Sequence, residues 1–188
     1  MSILTAELAQ HDNAAYEAAQ KSRTVDQRGF WVQATREAAT NFALTIAPSF
    51  FDDDSVADFG GSEGYGCDAI NEVLHCIPLV VDLNERDLEE AARKGHKTLQ
   101  SRLENIPLAD GAIDWAFCSH VLEHVADLEA TANELTRIIK RGLYIVVPLE
   151  TAETFEKNIE HVRHSLTPDL FIEPFTRRGW RESFRIPP

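Results

Sequence analysis

Two imidazoles, a carboxylate, a hydroxyl and a thiol stand close together in Cys118-Ser119-His120-Val121-Leu122-Glu123-His124. Histidine titrates near neutrality, so His120 and His124 are candidate catalytic proton carriers, and His161 and His164 offer the same chemistry. His120, Glu123 and His124 are also spaced i, i+3 and i+4. On a helix that spacing puts three side chains on one face, where they could converge on a metal with His161 or His164 as a further ligand. Several histidines with one carboxylate suit zinc, manganese or iron better than magnesium, which prefers oxygen. The opposing reading is local: His124 opens a helix and steadies its backbone. Whether a metal binds stays open at this point.

A second chemical segment reads Asp58-Phe59-Gly60-Gly61-Ser62-Glu63-Gly64-Tyr65-Gly66. Glycines let a backbone pass very close to a ligand, and a following helix offers unpaired N–H groups. Asp82 follows 24 residues after Asp58. A carboxylate there can accept both hydroxyls of a ribose. Gly64-Tyr65-Gly66-Cys67-Asp68-Ala69 also matches GxGxxA, with Asp82 18 residues after Gly64, as in a nicotinamide-dinucleotide fingerprint. That fingerprint should begin at the strand end, and here the strand-like run stops four residues earlier, near Asp58 to Gly60.

These residues need a scaffold, and the chain's texture supplies one. Leu4, Leu8, Ala15 and Ala19 are near helical spacing. After a break around Ser22 to Gly29, a second helix is expected from about Phe30 to Ile46, ended by Pro48. Short apolar runs at Val56–Phe59, Leu79–Val81, Ile113–Cys118 and Leu143–Val147 read as strands, with Lys97–Leu103 as a further one. Tyr65–His75 and the stripe Leu128, Ala132, Leu135, Ile139 read as helices between them. Asn84 can cap another helix, with Asp87 completing a capping box, and Gly95 can end it. Strands alternating with helices imply crossovers and a parallel sheet. The expected fold is a doubly wound, mostly parallel α/β sheet over residues 51–188, with a helical cap over residues 1–50. In such folds ligands sit outside the carboxyl ends of the strands, where Gly60–Gly64, Asp82 and Ser119–His120 fall.

Composition narrows the partners. The 188 residues carry 31 acidic and 18 basic side chains, a net charge of −13, and residues 51–150 hold 20 of the acids against 8 bases. A strongly acidic chain is a poor direct binder of nucleic acid. An acidic middle suits a cationic ligand, although a solvated surface gives the same count. No apolar run approaches the ~20 residues of a membrane span, and MSILTAELAQHD lacks the basic and apolar regions of a signal peptide. Three cysteines with no CxxC pair read as reduced thiols in a cytoplasmic protein.

Taken in order, VADFGGSEGYG, VVDLNERDLEEAARKG and ENIPLADGAIDWAFCSHVLEHVADLEATANELTRIIKRGLYIVVP resemble a class I S-adenosylmethionine-dependent methyltransferase, nearest to the broad "methyltransferase domain 11" group. The resemblance covers about residues 55–148. It implies S-adenosyl-L-methionine as cofactor, with Asp58, Gly60 and Gly64 beside the methionine part, Asp82 on the ribose, Glu104 and Asn105 near the adenine, and Ser119 and His120 lining the transfer pocket. Ser62 stands where the family usually has glycine, which a negative φ would accommodate. Arg102 stands where it often has aspartate. The Pro-Gly-Gly turn before the last of these strands is reduced to Lys140-Arg141-Gly142, and only Trp180–Ile186 suits a final strand. An edge left by a short C-terminal part would favour pairing between copies.

The expected function is methyl transfer to the oxygen or nitrogen of a small-molecule acceptor, with no direct nucleic-acid or membrane partner. A non-catalytic relative that keeps the sheet is the alternative; a dinucleotide oxidoreductase or a metal-assisted O-methyltransferase stands further back. His120, Glu123, His124 and His161 are the metal candidates.

Overall fold

The computed structural model describes residues 25–157, 161–163, 165 and 167–182. The helix expected around Leu4 to Ala19, His164 and the latter part of the Trp180–Ile186 strand lie outside them. Trp180, Arg181 and Glu182 are described and are not in a strand.

Among the described residues five strands form one parallel sheet in the order β3-β2-β1-β4-β5: β1 (Val56–Phe59), β2 (Leu79–Asp82), β3 (Lys97–Gln100), β4 (Ile113–Ser119) and β5 (Ile139–Val146). Helices α1 (Val25–Ile46), α2 (Tyr65–Leu74), α3 (Glu85–Arg93), α4 (Leu128–Ile138), α5 (Ala152–Phe155) and α6 (Asp169–Thr176) accompany it. The chain order runs outward from β1 to β3, then returns to pair β4 on the other side of β1. That reversal makes the carboxyl ends of β1 and β4 the topological switch point, where a crevice opens for a ligand.

Both faces of the sheet are covered, which is why its strands read as apolar runs. On one face Val56 and Phe117 pack with Phe42, Ala43 and Ile46 of α1 and Ile70 of α2. An Arg36–Glu72 ion pair of 2.7 Å also ties α1 to α2. On the other face Ala57, Phe59, Ala116 and Cys118 pack with Leu135 and Ile138 of α4 and Phe171 and Phe175 of α6. Strand residues alternate between the two faces, so Asp58 shares the α2 side with Val56.

Three local expectations change. The expected break at Gly29 is helical, because α1 already runs from Val25. Lys140-Arg141-Gly142 is strand rather than turn: α4 ends at Ile138 and β5 starts at Ile139 with no loop between. Gly142 is required there because a Cβ would lie 2.7 Å from the Trp115 ring across the β4–β5 pair. The run Asp52-Asp53-Asp54 reads from the sequence as a solvated turn ahead of β1, yet Asp54 accepts from Trp115 Nε1 at 2.9 Å and from Arg141 at 2.7 Å.

Candidate functional site

The β1–α2 loop is shaped by three consecutive demands on its backbone. Gly60 has φ +77, and its N–H donates to Val81 O at 2.7 Å. A Cβ at Gly60 would lie 2.2 Å from Val121 Cγ2, so glycine lets the loop after β4 close against the loop after β1. Ser62 also has a positive φ, +47, where a negative one was expected. Two bonds offset that strain: its N–H donates to Asp82 Oδ2 at 2.9 Å and its Oγ donates to Asp87 Oδ2 at 2.7 Å. The capping box is therefore replaced. Asn84 Oδ1 accepts from Arg86 N–H, while Asp87 reaches across to the glycine loop. Gly64, φ +79, caps α2 with its own N–H bonded to Gly61 O at 2.8 Å.

Two carboxylates sit beneath this loop. Asp58 lies in β1 rather than in the loop and is only 2% exposed. Its Oδ2 is 3.9 Å from Cys67 Sγ and fills the space a Cβ would need at Gly66. Burial, followed by the neighbouring charge of Asp82, pushes its pKa up to about 7. Asp82, at the end of β2, accepts from Ser62 N–H through Oδ2 and from Asn84 N–H through Oδ1, each at 2.9 Å. Burial raises its pKa as well, and those N–H groups partly offset the rise. Among the described residues neither carboxylate joins an ion pair. Glu104 and Asn105 lie on the turn after β3, on the same rim as Asp82, whose carbonyl accepts from Ser101 N–H at 3.0 Å. Glu104 faces Arg102 at 3.3 Å, and Asn105 is exposed with its carbonyl bonded to Ser101 Oγ.

The end of β4 carries the remaining candidates. Residues 120–124 form a turn, and α4 begins only at Leu128 behind the cap Asp127, so the expected helical face for His120, Glu123 and His124 does not exist. The turn nonetheless gathers them. His120 has φ +56, donates its N–H to Val146 O at 2.9 Å, and sets its ring edge-to-face on Trp31 of α1 with centroids 5.2 Å apart. Glu123 is fully buried. His124 turns toward His161, with ring centroids 4.8 Å apart. The ligating atoms of Glu123, His124 and His161 all lie within 4.8 Å of one another; His120 is outside that group, with Nδ1 3.5 Å from Glu123 Oε1. Ser119 Oγ is buried with no hydrogen-bond partner among the described residues.

Sequence reasoning missed Glu150, which binds His161 Nδ1 at 2.6 Å and is 5% exposed. It also missed Arg163, which clasps the carbonyls of Leu122, Val125 and Ala126. Neither had a signal, because each acts through a loop that only folding brings to the turn after β4.

Residues 57–147 match the family described as "Methyltransferase domain". Over that stretch, a little under half of its length, the chain is similar to a methyltransferase domain, and its fold is that of solved methyltransferases. That similarity favours the methyltransferase reading of these glycines over the dinucleotide one. An uncharacterized methyltransferase of Mycobacterium sp. (strain JLS) is 29% identical over 89 residues, 47% of this chain and 35% of the relative. The matched stretch thus spans about a third of that curated relative. A methyltransferase structure from Thermotoga maritima shares the fold with TM-score 0.58 at 24% identity, over 84% of this chain and 78% of its own. A chain in the Haloferax volcanii complex of the Trm112 methyltransferase activator with a methyltransferase gives 0.67 at 20%, over 89% and 75%. The geranyl diphosphate C-methyltransferase of Streptomyces coelicolor gives 0.62 at 16%, over 75% and 60%. Among the described residues no helix is long and apolar enough to cross a membrane.

Proposed function

We propose that this chain transfers a methyl group from S-adenosyl-L-methionine to the oxygen or nitrogen of a small-molecule acceptor. The observation that carries the reading is the pair Asp58 and Asp82 beneath the glycine loop. Both carboxyls are held above their ordinary pKa by burial, and neither has a cationic partner among the described residues. A ligand bearing a sulfonium and an ammonium against one carboxylate would relieve that cost.

Bound there, the cofactor supplies an activated methyl carbon. The chain's own work is positioning and proton removal. Asp82 holds the glycine loop through Ser62 N–H and presents the strand-end carboxylate expected to meet ribose hydroxyls. Glu104 and Asn105 rim the same end for the adenine. Ser119 Oγ offers an unused donor and acceptor at the end of β4. His120 is fixed by the hydrogen bond from its backbone N–H to Val146 O and by the Trp31 ring, and is the side chain we assign to receive the acceptor's proton. His124 is turned toward His161 and Glu123 instead.

Titration calorimetry of the chain with S-adenosylmethionine, S-adenosylhomocysteine and NAD tests this directly. Binding of the first two and not of NAD is the expected result; binding of NAD alone refutes it. A panel of small hydroxyl and amine acceptors, read by S-adenosylhomocysteine release, then separates turnover from a binding module. His120→Ala should lower the rate about 10²- to 10⁴-fold while leaving cofactor affinity in place.

A further inference from the structure

We infer that Glu123, His124 and His161 form a binding site for one divalent transition-metal ion, of which zinc is the natural probe. The inference does not rest on the methyl-transfer reading; it rests on a buried carboxylate without a hydrogen-bond partner among the described residues. Glu123 is 0% exposed, and both of its carboxylate oxygens lack a hydrogen-bond partner among the described residues. Its nearest imidazole nitrogens are His120 Nδ1 at 3.5 Å and His124 Nε2 at 4.0 Å, too far to share a proton well. A buried carboxylate survives when it is paired, hydrogen-bonded or bound to a metal.

The spacing suits the third of these. Ligand atoms on a tetrahedral zinc at ~2.1 Å stand about 3.4 Å apart, and the three ligand atoms here all lie within 4.8 Å of one another. Closing the widest separation by at most about 1.4 Å completes the set. His161 is already oriented for it. Its Nδ1 faces Glu150 Oε2 at 2.6 Å, so that the other ring nitrogen is the one available to an ion. A carboxylate on the far nitrogen of a ligating histidine fixes the ring and raises its basicity. The two halves of the site are also locked together by backbone. Val162 N–H donates to Glu123 O at 2.9 Å, and Arg163 binds the carbonyls on either side of the turn. Two imidazoles and one carboxylate form a donor set for zinc, manganese or iron rather than for calcium or magnesium. Three protein ligands leave at least one position of a four-coordinate ion for water or for the oxygen or nitrogen of another molecule.

The test uses the untagged, chelator-stripped chain titrated with zinc by calorimetry, and with cobalt(II) followed by visible absorption. One ion per chain is expected, with cobalt bands of a nitrogen–oxygen site and no thiolate charge-transfer absorption. Glu123→Gln and His161→Ala should each weaken zinc at least 100-fold, and Glu150→Gln about 10- to 100-fold. His75→Ala should leave it unchanged. Loss of binding in His75→Ala, a thiolate band, or equal affinity in wild type and Glu123→Gln would overturn the assignment. Should the Glu123 and His161 variants fail to fold, the wild-type cobalt spectrum and the Glu150→Gln affinity decide it. Cofactor binding is measured separately, so its failure would sink the methyl-transfer reading and leave this one standing.

Discussion

Replacing Asp58 by asparagine should stabilise the cofactor-free protein, and should do so more strongly as the pH rises. Asp58 is nearly inaccessible, and its pKa rises from 3.8 to about 7, chiefly through burial and then through Asp82. The folded state therefore holds a proton that the unfolded chain gives up. The stability this contributes is complete below pH 3.8 and falls as the pH climbs through the interval up to about 7. Each pH unit of that interval is worth 1.36 kcal/mol, so an ionised Asp58 costs the fold about 4 kcal/mol above neutrality. Asparagine keeps the shape beside Gly66 and Cys67 and carries no charge to bury. Urea unfolding of both proteins at pH 5 and pH 8 is the assay. The advantage of Asp58→Asn over wild type should grow by roughly 2–3 kcal/mol between those two pH values. The same advantage at both would refute the argument, since it would mean that Asp58 ionises as freely in the fold as outside it. A cationic cofactor reverses the sign: wild type should bind S-adenosylmethionine more tightly at pH 8 than at pH 6, and the asparagine variant should not share that gain.

Asp82→Ala should weaken S-adenosylmethionine about 10- to 150-fold, or 1.5–3 kcal/mol, because it removes both the strand-end acceptor and the anchor of Ser62 N–H. Calorimetry on the folded variant checks this, and unchanged affinity would take Asp82 out of the site. Gly60→Ala combines a positive φ with a Cβ 2.2 Å from the stiff Val121 side chain. A loss of roughly 2–5 kcal/mol is expected from the two effects together, read as a lower denaturation midpoint. A change under ~0.5 kcal/mol would show that the loops after β1 and β4 do not meet there.

Much of the frame was legible because it is built from local signals. Val56–Phe59 and Ile113–Ser119 are apolar runs bounded by turn residues, Asn84 and Gly95 bracket α3, and the strand–helix alternation forces a parallel sheet. The site was legible only in part. Gly60, Asp82 and the segment from Ser119 to His124 were picked out as a set, since each follows a strand end on the side where such sheets bind ligands. Their conformations were not readable: Ser62 and His120 both adopt positive φ, held by bonds to Asp82, Asp87 and Val146 that connect distant parts of the chain.

The amino-acid sequence by itself determined the doubly wound order, the glycine loop and its partnering acid 24 residues on, because these depend on residue type, period and interval. Only the tertiary structure decided which charged groups meet. Asp58 turned out buried against Cys67, and Asp54 was drawn in to hold Trp115 and Arg141. Glu123 was stranded between His120 and His124 while Glu150 and His161 arrived from the far side of β5. The reason is physical. Propensity and periodicity are properties of neighbours along the chain, whereas desolvation and ion pairing depend on which distant segments the packed sheet brings within a few ångströms.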